Sequence, residues 1–372
     1  MVCRMWLIKN LEDAKKLVLG STILGTGGGG DPKEGLMHLK KALEEVGSIK
    51  IVSLEELPED SLIVVPYYVG SIAPGLKSKK PVKISDPMLR ALETLEGVLG
   101  IKANAVVASE MGGDNTPIAL SIGARLNLPA VDGDLLGRAA PELHQCSVHI
   151  FGVPMYPSVI VSETGDVVIV KEYADIDDYE SIARYMSVLS GKFVAVVDTP
   201  LTKRVAEKVV IKNTLTLAYR LGEAVLNARA EGVNPVEKVA EILGGWVVFR
   251  GVVEKYEWRD EKGFLRGEVM VKGVDAFAGL TLRSWIMNEH IMVWLNNKPL
   301  VMPPDLFTLL KDDGEPLTNT DLREGMLVNG VAAKAPDVWR TPAGLKYFGP
   351  RHFGFDFDYV PVEELVKELL GR

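Results

Sequence analysis

Apolar residues recur with a helical period over the first fifty positions. Leu11, Ala14, Leu17, Val18 and Leu24 form one stripe, and Leu36, Leu39, Leu43 and Val46 form another. The second stripe opens on Asp31-Pro32, a good N-cap followed by a residue whose fixed φ suits the first helical position, so a helix is predicted to start there. Short apolar runs at 49–54 and 62–67 predict strands, and Asp86-Pro87 repeats the cap signature ahead of Met88, Leu92, Leu95 and Leu99. A buried strand is predicted at 105–109, a helix from near Asp114 or Asn115 to about Leu126, and a strand at 128–131 ending in Asp132-Gly-Asp134. Strands alternating with helices predict an α/β fold, a mostly parallel sheet flanked by helices in a first domain over residues 1–170. In such sheets, polar groups just past the strand C-termini line the ligand crevice.

The pattern changes after about residue 150. Runs at 159–162 and 167–170, joined by Glu163-Thr-Gly-Asp166, predict a hairpin, followed by helix 178–190, strand 193–197 and a long helix near 212–230. Turn signals at 260–263, 296–298 and 312–314 punctuate a strand-rich stretch, which predicts a β subdomain over about 245–336 inside a second, α+β domain of residues 171–372. Residues 362–370 close the chain with an amphipathic helix.

A chain of 372 residues exceeds the usual single core, consistent with two domains. The most apolar stretches, 61–76 and 147–162, are broken by Pro and Gly, short of the roughly 20 apolar residues a spanning helix needs. The first residues lack a signal-peptide core, and Cys3 and Cys146 supply no disulfide framework, so a reducing, cytoplasmic setting is expected without membrane partners. A single glutamine, Gln145, beside plentiful Lys and Glu leans toward a thermophilic source. The net charge of −8 argues against nucleic acid, and the short cluster Lys77, Lys79, Lys80 reads as a solvated loop.

Candidate chemistry concentrates in the first half. Gly25-Thr-Gly-Gly-Gly-Gly30 matches G-x-G-x-x-G, but a dinucleotide site requires a preceding strand, and the preceding segment is helical. Four consecutive glycines imply that substrate or a neighbouring loop approaches the backbone closely. Glu110 ends an apolar strand before Gly112-Gly113, which poises a carboxylate in a crevice, whereas Asp114 or Asn115 can serve simply as a helix cap. Asp132 and Asp134 fall on one side of an extended segment and can hold a hard cation or share a proton, with an Asp-Gly turn as the plain alternative. Arg138 and Glu142 are spaced for an ion pair on one helical turn. His144 is a candidate third metal ligand, and Asn288-Glu289-His290 interrupts an apolar run, either as a bulge or as a second-domain contribution to the site. There is no nucleophile elbow, Cys-His signature or P-loop.

Three segments together, 24–32 (LGTGGGGDP), 110–115 (EMGGDN) and 131–142 (VDGDLLGRAAPE), resemble the S-methyl thiohydantoin desulfurase-like family, whose members often accompany hydantoinase-type proteins. Gly27, Gly28, Gly29, Gly30, Glu110, Gly113, Asp132, Asp134, Gly137, Arg138 and Glu142 fall on the family's motif positions, and Asn288-Glu289, Pro304-Asp305 and Gly325 fit its second domain. Asp114 stands where the family has an apolar or small residue, and Leu135-Leu136 is bulkier than usual there.

The resemblance implies an enzyme that hydrolyses a small cyclic amide or thioamide. From the residues themselves, Glu110 is expected to move protons, while Asp132 and Asp134, with His144, bind a divalent metal or position water. Gly27–Gly30, Asp31, Gly113, Asn115, Arg138, Asn288 and Glu289 are expected to bind substrate, an anionic part of it at the helix N-terminus. Two alternatives remain at this point: a non-catalytic partner subunit of a hydantoinase-like complex, and a nucleotide-binding enzyme using the glycine loop. A homo-oligomer is expected in either setting.

Overall fold

The computed structural model describes residues 5–70, 80–191 and 193–372; Cys3, Lys77 and Lys79 lie outside them. One sheet contains β1 (Trp6–Ile8), β2 (Ile49–Val52), β3 (Leu62–Gly70), β4 (Ala105–Ala108), β5 (Ala130–Asp134), β6 (Ser158–Val161), β7 (Val167–Val170), β8 (Phe193–Thr202) and β9 (Ile211–Lys212). Their order is β1-β2-β5-β4-β3-β8-β6-β7, with β9 pairing to β5. The four central strands are parallel, as the alternation predicts, and antiparallel strands extend the sheet on both sides.

Helices α1 (Leu11–Leu24), α2 (Pro32–Val46), α3 (Pro87–Leu99) and α4 (Asn115–Arg125) come from the first third of the chain. They are followed by α5 (Ser147–Ile150), α6 (Ile176–Ser190), α7 (Lys203–Val209), α8 (Thr214–Glu231) and α9 (Pro235–Leu243). Asp31 and Asp86 cap α2 and α3 as the sequence predicts, accepting from the backbone amides of Lys33 and Leu89. Helix α9 has no counterpart in the sequence reading, although Asn234-Pro235 carries the same signature. Alternation along β3 divides the core between the two faces of the sheet. Ile63, Val65, Tyr67 and Val69 pack in the cluster containing Tyr179 of α6 and Ala206 of α7, while Val64 faces the cluster of α1, α4 and α8. Both faces are thus covered, which is why the central strands read as continuous apolar runs.

The second sheet is wholly antiparallel and comprises β10 (Trp246–Glu261), β11 (Phe264–Gly273), β12 (Thr281–Met287), β13 (Glu289–Leu295), β14 (Lys298–Val301), β15 (Leu306–Leu310) and β16 (Leu327–Ala333). It is the strand-rich unit predicted over 245–336. Helices α10 (Pro342–Phe348) and α11 (Val362–Leu370) complete the chain. Asn288, at φ +57°, is the single residue between β12 and β13, and the hairpin tip it makes reaches back to the first sheet. Among the described residues, no helix is long and apolar enough to cross a membrane.

Candidate active site

The C-terminal ends of β3, β4 and β5 open onto a cleft, closed on its far side by the β12–β13 tip. The position is where α/β sheets commonly hold ligands. Glu110, Gly29, Gly30, Asn115, Asn288 and Glu289, all singled out from sequence, line it.

Glu110 follows β4 and is held by both carboxylate oxygens. Asn115 Nδ2 donates to Oε1 at 2.7 Å and the Ala140 amide donates to Oε2 at 3.1 Å. Burial outweighs these bonds and pushes its carboxyl up to about 7. Glu289 opens β13 and is 2% exposed; its Oε2 has no hydrogen-bond partner among the described residues. Burial first, and the nearby Glu110 charge second, raise it well above the usual carboxylate range, against the pull of Arg138, the Gly29 amide and Arg184. Both acids line one cleft, and the charge of Glu110 disfavours ionising Glu289 beside it.

The glycine loop explains how the hairpin tip comes so near. A Cβ on Gly28 would stand 1.8 Å from Glu289 Oε1, and one on Gly29 would stand 2.5 Å from Gly112 Cα. The backbone amides of His290 and Asn319 donate to the carbonyls of Thr26 and Gly27 at 2.9 and 2.7 Å. The close approach implied by four glycines is therefore made by the protein itself. Because α1 and not a strand precedes the loop, the dinucleotide fingerprint lacks its structural context.

Several residues expected at the site lie elsewhere. Asp132 is not in the cleft: its carboxylate accepts from the Thr216 amide at 3.0 Å and hydroxyl at 2.5 Å, capping α8 from outside the helix. Asp134 is buried, its Oδ2 accepting from the amides of Leu136 and Gly137 at 3.1 and 2.7 Å, and burial pushes it up to about 7. The pair does not converge with His144. Among the described residues, the group within a cation's reach is instead Glu142, His144 and His352. Arg138 forms no ion pair with Glu142, since residues 135–146 are not helical. Its five N–H donors go to the carbonyls of Ala139, Pro304, Asp305 and His290 and to the Thr26 hydroxyl, at 2.8 to 3.0 Å. It joins the two sheets instead of facing the cleft. Asp31 is exposed and only caps α2, while Gly27 packs against Asn319 and Gly113 packs beneath Gly30.

The cleft also contains residues that the sequence did not single out. Arg184 donates to the carbonyls of Gly70, Gly263 and Pro141 and lies 4.2 Å over the Phe264 ring, tying both halves at the cleft. In sequence it resembles the surface partner of Glu180 one helical turn away, to which it is indeed bonded at 2.6 Å. Tyr67 donates to buried Asp198 at 2.6 Å. Its only sequence signal is an alternating apolar strand.

The chain belongs to the S-Me-THD-like family. The model of that family's N-terminal domain matches residues 12–172 and the model of its C-terminal domain matches residues 174–362. A crystal structure of a protein from Chromobacterium violaceum is similar in fold, with a TM-score of 0.77 at 20% identity over 96% of this chain and 100% of that one. No curated protein sequence matches significantly.

Proposed function

We propose that this protein hydrolyses a small cyclic amide or thioamide, a hydantoin-like or thiohydantoin-like ring, with Glu110 and Glu289 transferring the protons. The observation that carries this reading is the meeting of two glutamates from opposite halves of the chain in one cleft, Glu110 half-buried and Glu289 buried, the latter with an oxygen that has no partner among the described residues. Family membership supports the ring chemistry.

The raised carboxyls support a division of roles. Glu110, near 7, is substantially ionised at neutral pH and takes a proton from the attacking water. Glu289 retains its proton and gives it to the departing sulfur or nitrogen. Water oxygen bonds to the ring carbon as the carbon–sulfur or carbon–nitrogen bond breaks. Glu110 then releases its proton to solvent and Glu289 takes one up from it, which restores the starting state. Asn115 and the Ala140 amide fix the Glu110 carboxylate while this happens.

The test is a panel of hydantoins, thiohydantoins and their S-alkyl derivatives incubated with the pure protein, following ring opening and thiol release. Turnover of at least one ring is expected. A protein inert toward all of them that co-purifies with a hydantoinase-like chain would replace this reading with that of a non-catalytic subunit.

A further inference from the structure

We infer that Glu142, His144 and His352 bind a zinc-class divalent cation at the wall of the cleft. One carboxylate oxygen and one nitrogen from each imidazole lie within 4.8 Å of one another. One carboxylate with two imidazoles is a donor set of catalytic zinc sites, and three protein ligands leave a fourth position for water or substrate. Glu142 lines the cleft, so the ion would border it.

Two features beyond proximity support the site. His144 Nε2 is held at 2.5 Å by Asp177 Oδ1, while its buried Nδ1 has no partner among the described residues. An imidazole oriented by a carboxylate through one nitrogen, with the other free, is the usual arrangement of a metal-binding histidine. His352 Nε2 lies 2.7 Å from Glu142 Oε2, so an imidazole nitrogen and a carboxylate oxygen already converge on one point. Gln145 braces that carboxylate: its Nε2 donates to Glu142 Oε2 at 2.9 Å and to the Tyr347 carbonyl at 3.0 Å, and its Oε1 accepts from the Glu142 amide at 2.8 Å.

Three sequence-distant pieces build the site. Glu142 and His144 lie on the segment between β5 and α5, His352 lies on the turn Pro350–Phe353, and Asp177 is in the first turn of α6. The ligand side chains are 12 to 20% exposed, enough for an ion to enter.

Chelator-stripped full-length protein titrated with Zn²⁺ by calorimetry, and with Co²⁺ by visible absorption, tests the site without reference to turnover. One ion per chain is expected, with Co²⁺ bands of a low-symmetry nitrogen and oxygen site. His144→Ala and His352→Ala should each weaken binding by at least about 100-fold, and Asp177→Asn by roughly 10- to 100-fold. Should an alanine variant fail to fold, His352→Gln and the wild-type Co²⁺ spectrum decide the matter. Wild-type affinity weaker than about 1 mM, or stoichiometric binding that survives loss of both histidines, overturns the site. Because binding is the readout, its failure is separable from failure of ring hydrolysis.

Discussion

Arg138 and the Glu110–Glu289 pair adjoin the same glycine loop, yet they are treated in opposite ways. All five donors of Arg138 meet protein acceptors drawn from both halves of the chain. Asp132, also buried, is closed in the same manner by the start of α8. Glu289 ends in an oxygen unpartnered among the described residues, and Glu110 is ionised only against the resistance of its surroundings. A closed polar group fixes how elements meet. An open one is a burden that the rest of the fold carries, and such burdens accumulate where a ligand completes the bonding.

The largest effect should come from breaking the closed set. Arg138→Met leaves five acceptors without their donor and should lower stability by about 3–5 kcal/mol in urea unfolding. A change within error would show that the two sheets do not depend on it. The next largest belongs to the open set. The folded-state pKa of Glu110 is raised, from 4.5 to about 7. Its neutral form is therefore favoured by folding, and its contribution is greatest below pH 4.5 and is lost as pH rises toward 7. The loss is on the order of 3 kcal/mol, and Glu110→Gln should remove that slope from a plot of stability against pH. An unchanged slope would mean that Glu110 is no more burdened than a surface acid.

Smaller effects sharpen the contrast between neighbouring aspartates. Asp132→Ala removes an α8 cap and should cost about 1–2 kcal/mol, detectable as a lowered melting temperature. Asp134→Asn should change stability by less than about 1 kcal/mol or raise it above pH 7, since it removes a carboxylate that burial disfavours while an amide oxygen can still meet Leu136 and Gly137. Equal losses for the two would erase the distinction.

The difference between closed and open groups marks the limit of what the sequence discloses. Periodicity and cap signatures locate most helices and strands, and the alternation identifies the sheet. Glu110 at a strand end and Asn288-Glu289 within an apolar run are conspicuous because each is polar where burial is expected. Whether an acid is then satisfied depends on partners far away. Thr216 lies 84 residues beyond Asp132, and Pro304 lies 166 beyond Arg138. Asp132-Gly-Asp134 has the local look of a ligand pair, and only the start of α8 shows otherwise for Asp132. His352, 210 residues from Glu142, lies in a segment with no motif of its own.

The central claim is that Glu110 moves a proton for a bound ring, and one paired measurement addresses it most directly: turnover and equilibrium binding of the same ring by the wild-type protein and by Glu110→Gln. Loss of turnover by about 10²–10⁴-fold is predicted, with the dissociation constant changed only a few-fold, because the amide keeps the size and the Asn115 contact of the acid while it cannot accept the proton. Turnover within tenfold of wild type would contradict the account.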